Sequence, residues 1–159
     1  MIYFIMNNTI ALKEQEDTKI FLQKNFIDLQ IENYQYFPDE AMEELGLDFD
    51  LVNQLVEDYV TQILTSKVIY LQYLEALQAN KEISRKLDFT SLRELTHKNL
   101  GVVRNLRILD AGKILKDMMT STDLEYLSLC VEALVYCAIR LKPKRAHETL
   151  RLIEIKSSF

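Results

Sequence analysis

Turn-forming residues are scarce in this chain. Its 159 residues include three glycines and two prolines, and tryptophan is absent. A strand-rich fold needs a tight turn every few residues, so this scarcity excludes a hairpin-built sandwich or barrel and favours long helices. Cysteine is equally sparse. Cys130 and Cys137 are seven positions apart in "LSLCVEALVYCAIRL"; two helical turns separate them by roughly 10 Å, beyond the reach of a disulfide. They read as core thiols, and no CxxC or Cys/His spacing signals a metal site. Basic residues are outnumbered, with 19 Lys and Arg against 24 Asp and Glu and a net charge of −5. A nucleic-acid binder needs a basic stripe to neutralise phosphates, and an aromatic-plus-basic stacking cluster is missing too. No long hydrophobic run is present. "MIYFIMNN" is too short for a signal-peptide core, and Glu132 interrupts the most apolar later stretch; neither spans a membrane, and cytoplasmic residence is expected.

Amphipathic helices with clear punctuation make up most of the rest. Residues 9–25 form a short helical pattern, and residues 26–36 alternate only weakly and read as extended or irregular. In "FPDEAMEELG", Pro38 suits a first helical position, Asp39 and Glu40 the positive helix end, and Gly46 the stop. From Asp48, apolar residues recur at Phe49, Val52, Leu55, Val56, Tyr59, Val60, Ile63, Leu64, Val68, Leu71, Leu74 and Leu77. One continuous stripe over about eight turns is predicted, followed by a polar connection over 79–87. A third helix starts near Asp88, with a capping-box pattern also at 91–94, and runs to about Leu106. A shorter helix follows from Asp110, or the third continues after a bend. "TDLE" at 122–125 opens another helix that stops before Pro143, and "PKRAHETLRLIEIKSSF" is a terminal helix. Short links between long helices predict antiparallel packing in an all-α, up-and-down four-helix bundle. Residues 37–142 are its body, 1–36 an N-terminal extension and 143–159 a C-terminal helical extension packing on it.

Two residues in "FTSLRELTHKNLGVVRNL" do not serve the helix that carries them. At about 100° per residue, Phe89, Leu92, Leu95, Val102, Val103 and Leu106 share one third of the circumference, with Asn99 among them. His97 lies about 170° from the centre of that arc, and Gly101 and Arg104 about 150°, with Arg93 and Glu94 flanking the outer face. A surface histidine beside a tolerated glycine is the plain reading. Against it, a glycine exposed in a helix interior costs about 1 kcal/mol relative to alanine. It also leaves the imidazole uncovered from the next turn, so that another protein can approach. A neutral imidazole is a nucleophile, and Lys98, Arg93 and Arg104 could favour a transferred anion. His97 is therefore a candidate phosphoryl acceptor.

"THKNLGVVRNLRILDAGKIL" resembles the signature helix of histidine-containing phosphotransfer (HPt) domains, and "PDEAMEELGLDFDLVNQLVEDYVTQIL" is similar to the helices that precede it in that family, including a Leu-Gly-x-Asp turn. The likeness covers about residues 37–142. It implies a four-helix bundle that exchanges a phosphoryl group between His97 and an aspartate of a response-regulator receiver domain, itself free or part of a hybrid histidine kinase. His97 matches the acceptor and Gly101 the glycine one turn later. The family's lysine three positions after the histidine is Leu100 here, and Arg107 stands where small residues are frequent. The receiver would supply Mg²⁺; the chain itself would hold no metal or cofactor. Lacking a Gly-rich phosphate loop, it would be a phosphoryl carrier without autokinase activity, and a monomer. Leu100, Glu94 and Arg107 would belong to the docking surface.

Two other readings compete with this one. One is an HPt-like adaptor or inhibitor that binds a signalling partner without transfer, using an exposed Leu100 for apolar docking. The other is a dimeric helical structural protein. His147, in "KRAHETL", reads as a surface residue, and the tyrosines, among them Tyr59, Tyr70, Tyr73, Tyr126 and Tyr136, as edges of the core.

Overall fold

The computed structural model describes residues 15–158, which are helical apart from short connections and contain no strand. Helix α1 covers residues 15–25, and the rest of the pattern predicted over 9–25 lies outside the described residues. A 3₁₀ turn at Ile27–Leu29 and irregular chain lead to α2, Asp39–Leu45. Next come α3, Phe49–Glu82, α4, Thr90–Leu106, and α5, Leu109–Met118, then α6, Leu124–Leu141, and α7, Pro143–Ser157.

The helix ends follow from local chemistry. Gly46 closes α2 in the left-handed region at φ +67, where its N–H reaches the Met42 carbonyl. Asp48 then caps α3, accepting from the Leu51 N–H at 2.9 Å. Asp88 caps α4 from one residue further out than expected, its carboxylate accepting from both the N–H and the hydroxyl of Thr90. The cap of α6 is Asp123 rather than Thr122, accepting from the Tyr126 N–H at 3.2 Å. Pro143 opens α7 at the position where its missing N–H costs nothing. The connection expected over 79–87 is shorter, because α3 continues to Glu82 and is about 51 Å long at 1.5 Å per residue.

Four helices form a closed ring of contacts, in which α3 packs on α4, α4 on α5, α5 on α6 and α6 on α3. Pairings along α3 give the directions. Asn99 of α4 meets Gln62, Ser66 and Tyr70 while Thr96 also meets Tyr70, so α4 runs antiparallel to α3. Lys142 holds Asn53 and Glu132 pairs with Lys67, so α6 is antiparallel as well. Arg145 pairs with Glu57 and Thr149 with Thr61, which places α7 parallel to α3 on the outside of the ring. The N-terminal segment buries Phe21, Leu22, Phe26, Leu29 and Ile31, and the Phe21 ring meets Tyr126 of α6 at 5.7 Å.

The stripe on α3 is not continuous. Phe49, Leu55, Val68 and Leu71 are exposed, the last two by 41% and 40%, while Ser66 and Tyr70 are buried in their place. The reason lies across the interface. Asn99, fully buried, takes a hydrogen bond from the Gln62 amide at 2.7 Å and donates to the Ser66 and Tyr70 hydroxyls at 3.3 Å each. Thr96 donates to the Leu92 carbonyl at 2.7 Å, so Tyr70 is the donor in its 2.9 Å bond to Thr96. A buried amide must be satisfied, and α3 turns polar side chains inward where α4 requires them.

Tyr59 makes the contrast. It is also buried on α3, yet its hydroxyl has no hydrogen-bond partner among the described residues. Removing an unsatisfied buried hydroxyl loses no bond, whereas removing a bonded one strands its partners. Tyr70→Phe is therefore expected to cost about 1–2 kcal/mol, and Tyr59→Phe to leave stability unchanged or raise it. Urea unfolding of the two variants side by side checks this.

Candidate functional site

Helix α4 presents two faces. Leu92, Thr96, Asn99, Leu100, Val103 and Leu106 are buried, and Glu94, His97, Lys98, Gly101 and Arg104 are exposed, with Arg93 between. The buried arc is turned toward Thr96 and Leu100 relative to the arc drawn from the apolar residues alone, leaving Leu95 and Val102 half-covered. His97 consequently stands about 130° from its centre at 100° per residue, still outward. Leu100 corrects the sequence expectation. It is 4% exposed and belongs to the core cluster, so it is not an exposed docking leucine. Helix α5 folds back on α4 and covers it.

That return begins at Arg107. It ends α4 in the left-handed region at φ +59, with the Ile108 N–H bonded to the Val103 carbonyl at 3.0 Å. A side chain in this conformation costs roughly 1–2 kcal/mol. The Arg107 guanidinium reaches Glu44 on α2, with its Nε at 2.8 Å. Leu109 then starts α5, whose N–H is held by the Tyr34 hydroxyl at 3.0 Å.

His97 lies in a shallow depression formed by the start of α4 and the end of α5, together with Phe89, Arg93, Glu94 and Met119. The imidazole is exposed and makes no hydrogen bond or ion pair with any described residue. Arg93, one turn earlier, lays its guanidinium 5.2 Å over the Phe89 ring, and its buried Nε has no hydrogen-bond partner among the described residues. A cation–π contact fixes the charge in place without using its donors. Gly101 leaves open space above, since a methyl group there would meet nothing within 4 Å.

The remaining predicted residues fall elsewhere. Arg104 and Arg107 line a neighbouring groove of about 370 Å³ between α4 and α5, where Lys113 and Lys116 join them over a floor that includes Leu100 and Val103. Lys98 lines neither depression. The two α5 lysines escape a reading of α4 alone. Their signal was the three-residue spacing in "GKILKD", which puts both on one exposed face. Arg107 is paired with Glu44 and Asp28 also lines the groove, so Arg104, Lys113 and Lys116 are the cations left to make a local positive field in a chain of net charge −5.

Other titratable groups take no part in this face. His147 is exposed on α7. Burial pushes the Cys130 thiol up to about 12 and Cys137 well above its ordinary value, which keeps both protonated and unreactive. Among the described residues, no group of His, Cys, Asp and Glu could hold a metal ion, and no helix is long and apolar enough to cross a membrane. A second polar cluster surrounds Asp110 near the start of α5. Burial raises its carboxyl above the ordinary carboxylate value, opposed by the Ala111 N–H at 2.7 Å, by the Cys137 thiol and by the charge of Arg140.

Two outcomes follow from these positions. Gly101→Ala fills empty space on a helix and should stabilise the chain by roughly 0.5–1 kcal/mol, which raises Tm by about 2–4 °C per kcal/mol. A thermal melt measures it. For Asp110 the folded state binds its proton more tightly than the unfolded state. Stability should therefore fall as pH rises from the unfolded carboxylate value of 3.8 through the higher folded value. Asp110→Asn keeps the acceptor for the Ala111 N–H, so it should remove that slope and be the more stable protein at neutral pH, as urea titrations across the acid range would record. No family model, no curated protein and no solved structure matches this chain.

Proposed function

We propose that this chain is a histidine phosphotransfer protein of a two-component phosphorelay, carrying a phosphoryl group on His97 between receiver domains. The observation that carries the reading is an exposed, partnerless imidazole on a helix whose opposite face is locked, with open space over Gly101 and the Arg93 guanidinium in the same depression. The closed ring of α3, α4, α5 and α6 supports the four-helix bundle that the likeness to HPt domains implies.

In this reading a ring nitrogen of neutral His97 attacks the phosphorus of a receiver's aspartyl phosphate in line. The P–N bond forms as the P–O bond to the aspartate breaks, and the carboxylate leaves with the electron pair. The proton on the other ring nitrogen faces water. The receiver contributes Mg²⁺ and its acidic pocket; this chain contributes position and charge. Arg93 takes the part that a lysine at position 100 has in the family, because Leu100 is committed to the core. Its guanidinium lines the same depression as His97 and would favour the negative charge that accumulates there. Arg104, Lys113 and Lys116 add a field that steers an acidic receiver surface, and Glu94 borders it. A carrier of this kind works as a cytoplasmic monomer and needs no nucleotide site.

The adaptor reading rested on an exposed leucine beside the histidine, and the burial of Leu100 removes that support. The two readings part in one experiment. The purified chain is incubated with a phosphorylated receiver domain and its intact mass is recorded beside a His97→Gln control. Gain of one acid-labile phosphoryl group, absent in the control, is expected. Arg93→Met should slow transfer about tenfold or more, the worth of one charge-assisted hydrogen bond. A receiver that binds yet never transfers would leave an adaptor.

A further inference from the structure

A second cavity among the described residues is separate from the His97 depression. It lies where the segment before α2 meets the start of α3, the start of α5 and the end of α6, holds about 360 Å³ and shares no lining residue with the His97 depression. A volume of this size is within the range of small-molecule sites, roughly 300–1,000 Å³.

Its walls carry opposite charges that do not touch. Asp110, 6% exposed, brings a carboxylate to the cavity, and Arg140 and Lys142 bring cations from the end of α6. No ion pair joins Asp110 to either cation, although Arg140 acts on it electrostatically. Both cations are positioned by contacts that leave donors free. Arg140 gives one N–H to the Ile31 carbonyl at 2.7 Å, and the Lys142 ammonium holds Asn53. A guanidinium has five N–H donors and an ammonium three. Tyr36, Phe49 and Val56 supply apolar wall beside them. One turn from Val56 on α3 stands Tyr59, whose buried, unpartnered hydroxyl shares the electrostatic neighbourhood of Asp110 and Tyr34. Buried polar groups without partners are rare in folded proteins; Tyr59 does not itself line the cavity, whose own charges set what it can bind.

A ligand that satisfies this cavity needs a cationic donor at one end, an anion at the other and a short apolar body between. A simple carboxylate leaves Asp110 unmatched, and a simple amine leaves Arg140 and Lys142 unmatched. We propose that the cavity binds a free α-amino acid, its ammonium on Asp110, its carboxylate between Arg140 and Lys142, and its side chain against Phe49 and Val56. The site does not depend on the chemistry of His97. Binding there would tie the segment before α2 to α3, α5 and α6 at one end of the ring.

The test uses the full chain with each common L-amino acid in turn at millimolar concentration, read by thermal shift and then by calorimetry. At least one should raise Tm by several degrees and bind measurably. Asp110→Asn and Lys142→Met, each confirmed folded by circular dichroism, should weaken that binding at least tenfold, while His97→Gln should leave it unchanged. The deaminated acid of the best ligand should bind at least tenfold more weakly than the amino acid. If none of the amino acids binds, the proposal is overturned. It is equally overturned if binding survives both cavity variants or if the deaminated acid binds as well. Lys142 is the safer variant for folding, since its side chain lies at the mouth rather than in the core.

Discussion

One buried amide sets the rotation of the helix that carries His97. Asn99 uses its carbonyl and both amide hydrogens on three α3 side chains, Gln62, Ser66 and Tyr70, and the Tyr70 and Thr96 hydroxyls extend the chain of bonds to the Leu92 carbonyl. Apolar packing alone tolerates a helix turned by some tens of degrees, because burial is roughly proportional to area and has little direction. A buried amide does not, since every lost bond costs about 1–3 kcal/mol. The outward direction of His97 is thus an indirect consequence of the inward direction of Asn99.

The same constraint explains the charge on the outer face. With α4 locked against α3, its second flank is open to α5, which folds back after the left-handed turn at Arg107. Leu100 is then covered, and Lys113 and Lys116 come to the groove that Arg104 and Arg107 already line. The Glu44 carboxylate holds Arg107 at this corner and ties α2 to it. A chain of net charge −5 thereby gathers cations on one side.

The cavity at the start of α5 follows a different logic. Asp110 sits in the first turn of α5, where N–H groups favour an anion, but burial opposes its ionisation. Keeping such a group out of water lowers the stability of the free chain, and so does the unpartnered hydroxyl of Tyr59. Neither is required to close the core, which is carried by the apolar residues of α3, α5 and α6. Both stand apart from the well-satisfied network at Asn99, and the buried Arg93 Nε beside His97 is a further unsatisfied group.

Helical periodicity, the caps at Asp48 and Asp88, the stop at Gly46 and the outward face of His97 were all legible in the sequence, because each rests on geometry within a few residues. Even Asn99 could be placed in the buried sector from its spacing. Its partners could not, as Ser66 and Tyr70 lie on another helix and displace Val68 and Leu71 from the face that the apolar stripe had assigned to them. Leu100 likewise reads as an outer residue until α5 lies against it, and Arg93 became the cation beside His97 through Phe89 and a depression closed by Met119. Asp110, Arg140 and Lys142 share a cavity although the first is separated from the other two by most of α5 and α6. The chain by itself determined what is local, namely which segments are helices and where they stop. Only the tertiary structure decided which polar groups meet, because hydrogen bonds and charges act between neighbours in space, and those neighbours are chosen by how the helices pack.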